Sequence, residues 1–127
     1  MVTELRQQMP ASWPGTFPEY LVWRELTRMK IEFEYQASEL GGRQERGGAI
    51  LDFFIPSLGL GINVNSTYWH YGRPNARQLD RLQREQLEAS GIRMVYVDEE
   101  DLLRNAHYYV SEALAGHDYS LASQGVI

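Results

Sequence analysis

Three oxygen-bearing side chains interrupt otherwise apolar runs. Asp52 lies inside AILDFFI, residues 49–55, and Asn63 and Asn65 alternate with Ile62 and Val64 in the next run. A carboxylate among such neighbours is costly unless it is paired or holds a cation. Two readings of Asp52 stand side by side: an ion pair at a strand end, with Arg43 or Arg46 as partner, or a ligand. Period-two geometry puts Asn63 and Asn65 on one face of a strand. If Asp52 points the same way, three oxygen donors converge. Such a set suits a hard divalent ion, Mg2+ (or Mn2+), through Asp52 and Asn63. An amide oxygen adds no negative charge, so this set holds metal more weakly than two carboxylates. His70, between Trp69 and Tyr71, is either a packed surface histidine or a proton carrier beside those amides.

These residues need a frame, and the chain has the signals for one. Residues 1–15, with Pro10, Pro14 and Gly15, are expected to form an arm. Thr16 can cap a helix with Pro18 in its first turn and Glu19 three positions after the cap. Tyr20, Leu21, Trp23, Leu26 and Met29 give that helix an apolar stripe to about Lys30. Strict alternation over residues 31–36 predicts a half-buried strand, and GGRQERGG, residues 41–48, a flexible loop. Residues 49–55 form a second strand, buried on both faces, and residues 60–67 a third. Asn75 caps a helix from Ala76 to about Ser90, closed by Gly91. Residues 92–97 give a fourth strand. A last helix follows from Glu99 to about Ala115, its first turn holding Glu99, Glu100 and Asp101. The tail, residues 116–127, is expected to be loosely held. The order α-β-β-β-α-β-α implies an α/β sandwich around a mixed four-stranded sheet, with residues 16–115 as the domain.

At 127 residues, 43% of them hydrophobic, the chain suits one domain with a modest core. No run approaches the length of a membrane span, and MVTELRQQMP lacks the apolar region of a signal peptide. The absence of cysteine excludes disulfides and thiolate metal sites and makes the cytoplasm the expected location. A net charge of −5 excludes coating nucleic acid by bulk charge but leaves room for a local basic patch.

Glu19 on the first helix, Asp52 on the second strand and NVNSTYWH on the third together resemble the PD-(D/E)XK nuclease superfamily. More closely, they resemble the very-short-patch-repair (Vsr) type endonucleases. The likeness runs from about Thr16 to Leu103. Trp69-His70 after the third strand is its most specific mark, and LEASGIRMVYVDEEDLL resembles the family's helix, strand and acidic turn. The resemblance implies a restriction-endonuclease-like sandwich and metal-dependent hydrolysis of DNA phosphodiesters. Asp52 then matches the metal-binding aspartate, Glu19 the first-helix acid acting through water, and His70 a histidine near the scissile phosphate. Asn65 falls where the repair enzymes have another histidine and the wider superfamily a lysine. Asn63 falls at the second carboxylate. No other lysine replaces the missing one, because Lys30 is the only lysine and sits at a helix end. Three accounts of that departure remain. His70 assists a lysine-independent cleavage; the fold and a binding surface persist with little or no activity; or an amide has been put deliberately in place of a catalytic acid.

Arg73, Arg77, Arg81 and Arg84 recur at spacings of 4, 4 and 3, along one side of the second long helix. The plain reading is a solvated face partly neutralised by Asp80, Glu85 and Glu88. The functional reading is a phosphate grip next to Trp69, with Arg43 and Arg46 approaching from the other side. The implied partner is DNA.

Overall fold

The computed structural model describes residues 2–39, 49–65, 82, 84–121 and 123. Helix α1 spans Val2–Gln8 and α2 Phe17–Arg28; strands β1, Glu34–Glu39, and β2, Ala49–Ile55, follow. A short 3-10 turn, Pro56–Leu58, leads to β3, Leu60–Asn65. Residues 84–89 are helical and are called α3; β4, Arg93–Asp98, and α4, Glu99–Leu114, complete the order. The sheet runs β1-β2-β3-β4, antiparallel in its first two pairings and parallel between β3 and β4. This is the expected mixed four-stranded α/β arrangement.

Helices cover both faces. On one, α2 and α4 pack Leu21, Val22, Leu26, Leu102 and Val110 against Phe53, Ile55, Ile62 and Val95. On the other, Leu87 of α3 meets Leu51, Met94 and Tyr96. Each fully buried side chain of this kind contributes roughly 1.5–3 kcal/mol. Leu51 and Phe53 serve different faces although they are two apart, so the alternation of β2 breaks at Asp52.

Helix ends explain where the strands begin. Thr16 and Glu19 form the expected capping box at the start of α2. At its other end, Ile31 N–H donates to Leu26 O and Lys30 N–H to Thr27 O, with Lys30 at φ 59°. That is the bonding of a Schellman closure, with lysine in the left-handed position usually given to glycine. Residues 31–33 are spent on the turn, so β1 starts at Glu34 rather than at Ile31. Gly91, at φ 94°, closes α3 with the same bonds, as its position in the sequence predicted.

Residues 2–15 and 116–121 are better anchored than their composition suggests. The first fifteen residues include α1 and lay Met9 and Trp13 on the core. In the tail, Asp118 accepts from Tyr96 N–H of β4 and from Arg84 Nη2, each at 2.9 Å. Asp98 accepts from Leu121 N–H at 3.0 Å. Among the described residues, no helix is long and apolar enough to cross a membrane.

Candidate functional site

Asp52 and Asn63 meet where the sheet opens. Pairing of β2 with β3 stops at Phe53↔Ile62, and pairing of β1 with β2 passes over Gln36 and Asp52. In place of a ladder, Asp52 N–H donates to Asn63 Oδ1 and Val64 N–H to Asp52 Oδ2, each at 2.8 Å. Two side chains have thus replaced backbone carbonyls as acceptors. This gives the carboxylate a backbone donor among apolar neighbours. The ion-pair reading of Asp52 falls on Arg43 and Arg46, which lie outside the described residues.

Glu19 reaches the same place through a tyrosine. Its Oε1 accepts from Thr16 N–H at 3.0 Å and from the Tyr35 hydroxyl at 2.9 Å. Gln36 Nε2 donates to that hydroxyl oxygen at 3.3 Å, from a residue held at φ 55°. Burial, then the hydrogen bond and charge of Glu19, push the Tyr35 hydroxyl above the ordinary tyrosine range, and the Asp52 carboxylate adds to the shift. Tyr35 therefore keeps its proton and donates a hydrogen bond to Glu19. The chain entering α2 runs so close that a Cβ at Gly15 would collide with both the hydroxyl and the carboxylate.

The two asparagines share a face, as expected, but not the face of Glu19. Ile62 and Val64 belong to the α2/α4 core, so alternation turns Asn63 and Asn65 toward the α3 side. Their register partners on β4 are Tyr96 and Asp98. Asn65 is only 1% exposed and lies beside the buried Asp98. Tyr35 and Glu19 stand on the α2/α4 side, and Asp52, in the opening, is the group that reaches both. Among the described residues, no three His, Asp or Glu side chains gather as a metal-holding group.

The chain matches no protein-family model, no curated protein and no solved structure.

Arg43, Arg46, Trp69, His70, Arg73, Arg77 and Arg81 lie outside the described residues. Arg84 is described, and its guanidinium is committed internally. Nε bonds Glu88, Nη1 bonds Ser123, and Nη2 bonds Asp118 and Met94 O. It anchors the tail to α3. Tyr35, Gln36 and Asp98 were missed by the sequence reading. Tyr35 had a legible signal, since it alternates with Phe33 on the inward side of the first strand. Gln36 had none, because its position depends on a left-handed backbone that its residue type does not favour.

Proposed function

We propose that the protein is a metal-dependent DNA endonuclease or nickase of Vsr-like type, on a restriction-endonuclease-like frame. The observation that carries this reading is the meeting of Asp52 and Asn63 at the opening of β2 from β3, with Glu19 linked to it through Tyr35. The donors are hard oxygens, which fit Mg2+ or Mn2+ in kind, with less negative charge than two carboxylates would bring. Asp52 and the Asn63 amide would hold the ion, and Glu19 would reach it through water. When bound, it would supply charge neutralisation at the phosphate. Tyr35 fixes the Glu19 carboxylate by a hydrogen bond, and His70 is assigned proton transfer. Asn65 completes the polar wall beside Asp98.

A second reading has its own support. Asn63 replaces a carboxylate, and both it and Asp52 already accept backbone N–H groups. A module of this fold that binds DNA or a protein partner and cuts weakly or not at all fits that engagement. Plasmid nicking with Mg2+ or Mn2+ separates the two. The parent is expected to nick, with a loss of roughly a hundredfold or more in Asp52→Ala. DNA binding that weakens with salt, without cleavage, selects the module. Nicking unchanged by Asp52→Ala removes the assigned site.

A further inference from the structure

A second polar cluster lies between α2 and α4 and has no part in the strand opening. Glu25 is 3% exposed within the apolar stripe of α2. Its Oε2 takes Arg24 at 3.0 Å and Arg28 at 3.6 Å, and its Oε1 lies 3.1 Å from His107 Nδ1 of α4. These residues line a groove of about 420 Å3 together with Arg104 and Asn105. Arg24 and Arg28 thus contact Glu25 and Arg104 lines the same groove, in a chain whose net charge is −5. Arg24 is held inside, but Arg28 and Arg104 are 62% and 67% exposed at the side chain. Arg104 also contacts Asp101.

The backbone adds to this field. Asn105, at φ −161° and ψ 84°, interrupts α4, and its Oδ1 accepts from Tyr108 N–H at 3.1 Å. It thereby caps a fresh helical start at the groove wall, where the helix dipole favours negative charge. Met29 and Leu103 supply an apolar side. The volume is that of a small-ligand site.

We propose that this groove binds a phosphate group, gripped by Arg28 and Arg104 while Glu25 and Arg24 fix its base. Guanidinium forks match phosphate oxygens in pairs, and Glu25 holds the positive groups together without neutralising them all. The phosphate is that of a mononucleotide-sized ester or of a nucleic-acid strand. The site uses neither Asp52 nor a metal, so it stands apart from the nuclease reading.

Calorimetric titration of the full chain at low ionic strength tests it, with inorganic phosphate, 5′-dAMP and a short single-stranded oligonucleotide as probes. Saturable binding of dAMP and phosphate is expected, weakened about tenfold or more in Arg28→Ala/Arg104→Ala. Circular dichroism checks that each variant is folded. Binding of the oligonucleotide alone, with the same arginine dependence, supports the groove and assigns the phosphate to a strand. No binding by any probe, or binding that persists without the two arginines, overturns the proposal.

Discussion

Asp52 and Glu25 are two acidic residues in apolar surroundings, and the fold accommodates them in opposite ways. Asp52 sits in a strand and is met by a backbone N–H, with an amide side chain completing the exchange. Glu25 sits in a helix, whose own N–H groups are used internally, and is met by Arg24 and Arg28 of its own helix and by the His107 ring of α4. The first solution leaves a negative group at a break in the sheet. The second leaves surplus positive charge around a groove. A buried carboxylate thus sets the sign of its neighbourhood through whatever satisfies it.

The largest effect that could break this contrast is at Glu25. Glu25→Leu strands the largely enclosed Arg24 without its partner and is expected to cost about 3 kcal/mol or more in urea unfolding. A near-neutral result would mean that the cations do not depend on Glu25. Next is Asn63→Asp, which sets a second carboxylate against Asp52. Facing like charges raise the folded-state pKa of one of them above its unfolded value. The folded pair then binds the extra proton more tightly than the unfolded chain does. The loss, about 1–2 kcal/mol, is therefore present above that raised pKa and relieved as pH falls through it. Added Mg2+ should raise the melting temperature of this variant more than that of the parent. A loss independent of both pH and Mg2+ would show that the two side chains do not face each other.

The smallest effect concerns the backbone on which each carboxylate stands. Lys30 closes the helix that carries Glu25, and Gln36 lies opposite Asp52; both have positive φ. Lys30→Gly is expected to gain about 0.5–1 kcal/mol, the left-handed cost less the added chain entropy. Gln36→Gly should gain less in thermal melts, because the Gln36 amide also bonds the Tyr35 hydroxyl. Equal gains would mean that this bond contributes nothing.

Much of the frame was legible because its signals are local. Thr16, Pro18 and Glu19 mark a helix start within four residues, Gly91 marks a stop, and AILDFFI has the bounds of β2. The sequence put Asp52 and Asn63 on adjacent strands but left open whether they meet, because that depends on the break in the alternation of β2. What escaped depended on exceptions to residue preference. Lysine at a glycine position shortened β1, and glutamine in a left-handed conformation broke the ladder. Glu25 sits four residues from both Leu21 and Met29, so its place in the apolar stripe was readable. Its histidine partner on α4 was not, because it lies 82 positions further along the chain. Arg84 shared the spacing of a solvated stripe, while its partner Asp118 lies in a tail with no periodic pattern.

That tail has an effect beyond its own anchorage. β4 is the last strand of the sheet, and on such a border unsatisfied amides invite a neighbouring molecule to add a strand. The Asp118 carboxylate fills the place such a guest would take at Tyr96, and Arg93 is tied to Gly116 O at the same border. Gly116 and Asp118 thus act as a selvedge, finishing the cloth so that it does not continue into the next molecule.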